Sequence, residues 1–392
     1  MSKLLFIYER DMPTISITRE TFDHLENYPE IQHTFVYLSD VKPTDIDNHD
    51  VIVFIRPNDN YSWTIAKAAR KAGHVAVTFC DDDLLNLPNN SPTIPWRKKG
   101  LMKCLANSDV IWSSNQHILE KYRDLTVGKR TAITDTIVRS EEFEEVKRKG
   151  KDENVKLVYA AAPSHAALFE KYIGPSIPKL TEEFGNRISF TFISVHPEVK
   201  GVQCNYLAGM PLLEFRKYMK KQQFDIGLAP LHDDEFSKCK YFNKFLEYTT
   251  QGIVGVYSRT EPYTYVVRDK NNGFLADNNV ESWYKVLRCA IKERNLRYAC
   301  LDEAIKYVKT KHCEEACIEK MRQGIPEMFE DNGNYSKCYN FRINRIKYVM
   351  VRPFDLIYLT SFYLKNTGIR AVIKRIKRHF VESRAYSRRH KK

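Results

Sequence analysis

The sequence predicts an α/β protein of two similar domains facing a cleft, followed by a basic C-terminal helical tail. Three observations lead there. At 392 residues the chain exceeds one ordinary core and suits two. Short apolar runs alternate with amphipathic stretches in two successive blocks, the pattern of βαβ units. The excess positive charge collects at the C-terminus.

In the first block, residues 1–150, the strand-like runs are Leu4 to Tyr8, Thr34 to Leu38, Val51 to Ile55, Val75 to Phe79, Val110 to Trp112 and Thr131 to Thr134. Helical stretches lie between them near Ile17 to Asn27, Ser62 to Ala72 and Gln116 to Tyr122, several opening on a Ser, Thr or Asn able to cap a helix. Arg139 to Asn154 is dense in Glu, Lys and Arg with almost no apolar period, which suits a linker. The second block, 151–330, restarts with Val155 to Ala161, Ile188 to Val195, Ile226 to Ala229 and Ile253 to Tyr257 as strands. Leu212 to Lys221 and Asn243 to Thr250 read as helices, and Ser282 to Phe329 as helical throughout. Both blocks are expected to form Rossmann-like domains that bind ligands at the carboxyl ends of their strands.

Composition narrows the class. With 43% hydrophobic and 12% aromatic residues there is ample material for a core. The chain opens directly on a strand pattern, and no uninterrupted apolar run reaches the roughly 18 residues of a membrane-spanning helix. Neither signal peptide nor span is expected, which points to a cytoplasmic protein. The nine cysteines are scattered, with Cys313 and Cys317 nearest and no second pair to complete a metal site, so reduced thiols are expected. A Gly-x-Gly-x-x-Gly fingerprint, a Walker-type loop and a His-Glu-x-x-His motif are all missing, which removes dehydrogenase, P-loop ATPase and zinc-protease readings.

Candidate chemistry sits in the loops after strands. Asp225-Ile-Gly-Leu-Ala-Pro-Leu231 leads through a polar loop, His232 to Lys240, into Tyr241-Phe-Asn-Lys-Phe-Leu-Glu247 and on to Gly252. Lys244 and Glu247 are three apart and share a helix face near its first turns. Free N–H groups at a helix start attract an anion, a lysine adds a point charge for a diphosphate, and a carboxylate accepts from two ribose hydroxyls. An exposed surface ion pair is the alternative.

The run "DIGLAPL…FNKFLEYTTQGIVGVYS…PY…NNGFL" resembles the C-terminal donor domain of GT-B glycosyltransferases, especially the family 4-like enzymes (glycosyl transferases group 1). That resemblance implies a GT-B fold, a nucleotide-sugar co-substrate and no obligatory metal. Members carry two glutamates eight positions apart on this helix, the first on the donor sugar and the second on the ribose. Glu247 matches the second, but the first falls on Cys239. By resemblance Lys244 serves the diphosphate, with Lys240 a second candidate, and Tyr263 of the Pro-Tyr pair joins the nucleotide-sugar site. Val158-Tyr-Ala-Ala-Ala-Pro-Ser-His165 is similar to the small-residue turn that faces the donor phosphates, which brings in Ser164 for binding and His165 for catalysis or hydrogen bonding.

Asp81-Asp-Asp83, after Val75 to Phe79, admits three readings. Asp82 or Asp83 can serve as general base for an acceptor hydroxyl. Asp81 and Asp83 together form Asp-x-Asp, the Mg- or Mn-binding motif of the other glycosyltransferase architecture, GT-A. The triplet can also merely cap a helix or face solvent.

The tail is the third domain, 331–392. It holds 16 Lys and Arg against three acids, whereas the rest of the chain carries 46 of each sign, so the net charge of +13 is the tail's. Ile369, Val372, Ile373, Ile376 and Phe380 fall at helical spacing, with Arg370, Lys374, Arg375, Lys377 and Arg378 on the remaining surface. Such a helix lies flat on an anionic membrane. Upstream, Tyr348 to Leu364 is apolar but interrupted by Arg352, Pro353 and Asp355, which fits interfacial burial or docking on the first domain. Without a nucleic-acid-binding motif, residues 349–392 point to a membrane surface rather than to RNA or DNA.

The expectation is a glycosyltransferase that moves a sugar from a nucleotide-diphosphate donor to a membrane- or lipid-linked glycan in cell-surface polysaccharide synthesis, peripheral on the inner face of the cell membrane. The alternatives are the GT-A-like metal enzyme and a non-catalytic protein that binds nucleotide sugar or nucleic acid.

Overall fold

The computed structural model describes all residues except 1, 26, 89–91, 144–153, 200, 331–334, 338–341, 370–371 and 374–392. Two six-stranded sheets organise it, and among the described residues every ladder between named strands is parallel. The first holds β1 (Ser2–Tyr8), β2 (Ile31–Tyr37), β3 (Val51–Ile55), β4 (Val75–Cys80), β5 (Val110–Ser113) and β6 (Arg130–Ile133), in the order β2-β1-β3-β4-β5-β6. The second holds β7 (Val155–Ala160), β8 (Ile188–Ile193), β9 (Cys204–Leu207), β10 (Ile226–Ala229), β11 (Val254–Ser258) and β12 (Phe274–Ala276), in the order β12-β11-β10-β7-β8-β9.

Helices cover both faces of each sheet, so central strands have no solvent side to alternate towards. Val51-Ile-Val-Phe-Ile55 is buried at all five positions, as a strand in such a sheet must be. Strand order reverses between β1 and β3 in one sheet and between β7 and β10 in the other, which opens a crevice at the carboxyl ends of both. The expected strands are present. The first helix differs from expectation, running Pro13–Asp23 rather than from Ile17, because Pro13 supplies a preset φ at its opening turn. Strand β9 escaped the sequence reading: it is a four-residue edge strand with no fully buried position, so its pattern is weak. Of the 139–154 linker, Ser140–Phe143 forms a 3₁₀ turn, and 144–153 lie outside the described residues.

Chain order and packing part company near residue 314. The helices Val280–Lys292 and Arg294–Lys311 seal the second sheet with Trp283, Leu287, Cys300 and Val308. The next helix, Glu314–Gly324, and the turn after it return to the first sheet. There Cys317, Ile318, Met321, Ile325 and Met328 share a core with Leu4, Phe6, Val53 and Ala132. By packing, residues 314–329 belong to the first domain, although a division at 330 assigns them to the second.

The Arg342–Thr367 helix also returns. Its Tyr348 ring stacks on Tyr61 with centroids 5.6 Å apart, so the stretch that sequence left open between membrane and docking does dock, by one face. Of the amphipathic tail, Ile369, Val372 and Ile373 are described. Arg370, Lys374, Arg375, Ile376, Lys377, Arg378 and Phe380 lie outside the described residues.

Truncating Ile318, which is 1% exposed, to Ala is expected to cost about 2–5 kcal/mol. Native-state hydrogen exchange is the check: protection should fall in β1 and β6 and stay unchanged in β7 to β11.

Candidate functional site

The second domain presents a cationic edge. The Asn243–Thr250 helix is clamped to β10 because Gly227 has no Cβ: one placed there would come within 2.5 Å of the Tyr248 ring. The Tyr248 hydroxyl then donates to the Leu228 carbonyl at 2.7 Å, which sets the helix rotation. In that setting Lys244 Nζ donates to both oxygens of Glu247, each at 2.9 Å, and the two side chains keep about a quarter of their surface, 26% and 21%. Tyr263 is buried beside them. Burial, then the Glu247 charge, raises its hydroxyl pKa.

Lys240 follows a short helical turn, Glu235–Lys238, whose cap is the Asp234 carboxylate accepting from Ser237 N at 2.7 Å. Its ammonium lies 4.7 Å from the Phe236 ring centroid and 4.0 Å from Asp82 Oδ1 of the other domain. After β7, the Pro163–His165 turn leaves Ser164 exposed and His165 partly buried. Burial first, then the charges of Lys240, His232 and Lys244, push His165 down to about 4. It is a neutral imidazole at pH 7, set among two ammonium groups and a second histidine.

The first domain presents carboxylates. Arg56 directly follows β3 in the left-handed region, φ 49°, and its Nη1 lies 2.9 Å from Asp81 Oδ1 and 3.1 Å from Asp82 Oδ2. Thr14 donates to Asp81 Oδ2 at 2.6 Å. Burial raises the Asp81 pKa against the pull of Arg56, and the neighbouring Asp82 charge adds to the rise. One guanidinium therefore serves two carboxylates, and Asp82, 25% exposed, is the one that meets Lys240 across the cleft.

Asp83 is a correction. Its side chain is fully buried, accepting from Asn86 Nδ2 at 3.1 Å, Lys121 Nζ at 3.2 Å and Tyr122 OH at 3.3 Å, so it braces the loop and has no exposed oxygen with which to act as base. For the same reason the Asp-x-Asp reading fails: Asp81 is committed to Arg56 and Thr14, Asp83 to a separate buried set. Among the described residues no three His, Cys, Asp or Glu side chains gather as a metal site. Cys239, where the related pattern has a glutamate, is buried among Leu84, Leu85, Leu119 and Tyr122, and burial raises its thiol to about 11. That position faces an apolar cluster, not the Lys244/Glu247 pair.

Sequence reasoning missed the groups that hold the two edges together. Asn115 Nδ2 donates to the carbonyls of Lys238 and Lys240, both at 2.8 Å, while its Oδ1 accepts from His117 N at 2.8 Å. His117 Nε2 lies 2.6 Å from both Glu261 Oε2 and the Tyr265 hydroxyl. Tyr241 donates to Asp135 at 3.0 Å. The signal available was position: Arg56 directly follows β3 and Asn115 stands two residues past β5, where ligand loops begin.

No protein-family model and no curated protein matches the sequence. Solved structures do match in fold. Anabaena Alr3699/HepE in complex with UDP and glucose aligns with a TM-score of 0.57 at 10% identity, covering 83% of this chain and 100% of that one. OtsA in its apo form aligns at 0.55 with 12% identity, over 85% and 100% of the two chains. An alpha-glucosyltransferase in complex with UDP-glucose and DNA containing an abasic site aligns at 0.55 with 12% identity, over 82% and 98%. The architecture is the GT-B one, two Rossmann-like domains facing a cleft, which removes the GT-A alternative.

A titration follows from the His165 surroundings. Its folded-state value of about 4 lies below the ordinary 6.5, so the unfolded chain takes the proton first, and stability falls as pH drops from about 6.5 towards about 4. Imidazole NMR should show a midpoint near the lower value, moving up in Lys240→Gln.

Proposed function

We propose that the chain is a glycosyltransferase of the hexosyltransferase type, moving a sugar from a nucleotide-diphosphate donor to a membrane- or lipid-linked glycan acceptor. The observation that carries this reading is the gathering of Lys240, Lys244, His165 and His232 at the carboxyl edge of the second sheet, opposite Asp82. A dianionic diphosphate is the complementary ligand for that edge. Alr3699/HepE, similar in fold, binds UDP and glucose, which fits the same class of donor.

In this reading the diphosphate displaces Glu247 as the partner of Lys244, and the freed carboxylate accepts from the two ribose hydroxyls. Lys240 and Lys244 then neutralise the charge that builds on the departing diphosphate, and Ser164 donates to it. This is electrostatic stabilisation by groups already in place before the charge develops. Tyr263 supports Glu247 from the buried side. His165, neutral at pH 7, donates a hydrogen bond without adding charge. Asp82 takes the proton of the acceptor hydroxyl, held in place by Arg56. No obligatory metal and no nucleic acid enter this scheme. The role in cell-surface polysaccharide synthesis, and a place at the inner face of the membrane, belong to the proposal with the acceptor.

Thermal-shift titration with UDP and GDP tests the donor half. One of them should stabilise the folded chain, by about 2.7 kcal/mol at a hundredfold excess over Kd. Lys244→Ala should weaken that ligand roughly 10- to 100-fold with the unliganded midpoint unchanged, as loss of a charge-assisted hydrogen bond predicts. No stabilisation by any nucleoside diphosphate would sink the assignment.

The acceptor half is tested through Asp82→Asn, an isosteric change. Turnover should fall roughly 10²- to 10⁴-fold while nucleotide affinity holds. A variant with normal turnover removes Asp82 from the chemistry.

A further inference from the structure

We propose that the Arg342–Thr367 helix is a membrane-docking face that seats the first-domain side of the cleft against an anionic bilayer, so that a lipid-borne acceptor approaches from the bilayer surface. The acceptor clause rests on the transferase reading above. The docking clause stands by itself.

The helix has two opposed faces. Tyr348 and Asp355 are buried against the first domain, and Tyr363, on the same side of the helix, is buried too. At 100° per residue the opposite face is the stripe Ile346, Met350, Phe354, Ile357 and Leu364, of which Ile346, Met350, Phe354 and Ile357 are 60–66% exposed. Among the described residues 14 large apolar side chains are exposed, and nine of them lie between 346 and 373. Apolar exposure this concentrated marks an interaction surface.

Charge complementarity selects the occupant. Exposed Lys365 flanks the stripe, while the exposed Arg352 lies on the Tyr348 side, its guanidinium 5.3 Å from that ring centroid, and residues 368–392 carry ten Lys and Arg against one Glu. Two copies pressed together by this face would each bring that same positive charge, which disfavours a dimer. An anionic bilayer takes the apolar stripe into its interface and attracts the tail. Spanning is not involved: among the described residues no helix is long and apolar enough to cross a membrane.

The helix is bolted to the loops that surround the candidate acceptor site. Asp355 accepts from Trp96 Nε1 at 2.6 Å and from Arg97 Nη2 at 2.6 Å. Arg97 also reaches Glu9 at 2.7 Å, directly after β1, and the Asn58 carbonyl at 2.9 Å, just past β3. Burial opposes the Arg97 charge, but Glu9 and Asp355 outweigh it and hold its pKa above the ordinary value. Tyr358 donates to the Thr93 carbonyl at 3.2 Å, in the loop that follows Asp81 and Asp82. Docking the stripe therefore orients the carboxyl edge that carries Arg56, Asp81 and Asp82.

The test is co-sedimentation of the full chain with phosphatidylcholine vesicles, with and without phosphatidylglycerol. Binding should be at least about tenfold tighter with phosphatidylglycerol and weaken in high salt. The double substitution Phe354→Asp and Ile357→Asp touches only exposed residues, so the thermal midpoint and the UDP-induced shift should not move, while vesicle affinity drops at least about tenfold. Transfer to an acceptor embedded in vesicles should drop with it, and transfer to a water-soluble acceptor should not. The docking proposal is overturned if the double variant binds vesicles like the parent, or if neither binds and sedimentation equilibrium shows a dimer that the substitutions dissolve. Vesicle binding as expected, with no nucleotide-induced shift in either protein, overturns the transferase reading and leaves docking standing.

Discussion

One side-chain amide fastens the facing sheet edges at the turn that carries Lys240. Asn115 spends both Nδ2 hydrogens on carbonyls of the other domain, at Lys238 and Lys240, and its Oδ1 on the His117 N–H in the first turn of its own helix. Every polar atom of that side chain is matched, which is what makes a buried amide a specific fastening instead of a penalty. The fastening fixes the turn from which Lys240 and the Asn243–Thr250 helix set out. Lysine and glutamate on that helix are thereby placed relative to Asp82, not only relative to each other. His117 with Glu261, and Tyr241 with Asp135, repeat the arrangement along the same seam.

Around that seam the charges are divided by domain. The second domain collects cations and keeps a histidine neutral among them, while the first shares a single guanidinium between two carboxylates. Lys240 and Asp82 meet only at 4.0 Å, a loose pairing that a ligand with its own charge can replace. The tight, buried pairings lie elsewhere, at Lys121 with Asp83 and at Arg97 with Glu9 and Asp355, where they hold loops and the last helix in place. Exposure separates these two kinds of carboxylate where residue type cannot: Asp82 and Asp83 are neighbours in sequence, and one faces the cleft while the other is sealed.

Much of the fold was legible because parallel strands covered on both faces read as uninterrupted apolar runs. Val51-Ile-Val-Phe-Ile55 is such a run, and Val75 to Cys80 is one broken only by the buried Thr78. The Lys244/Glu247 pair was legible because spacing on a helix fixes which face residues share. What stayed hidden are matters of long-range pairing. Nothing local distinguishes Glu314–Gly324 from the helices before it, yet its apolar face completes a core begun more than 300 residues earlier, at Leu4 and Phe6. Arg56 and Asn115 were overlooked because an Arg or an Asn after a strand is ordinary until its partner is known.

Composition and periodicity by themselves determined the two α/β domains, the basic tail and the helix bearing Lys244 and Glu247, since these follow from which residues repeat at the period of a strand or a helix. The tertiary structure alone decided that Asp83 is a brace, that residue 239 faces an apolar cluster, that residues 314–329 rejoin the first domain and that the last helix docks by one face. The physical reason is common to all four. Burial and charge pairing depend on distances between residues far apart in the chain, and periodicity carries no information about those.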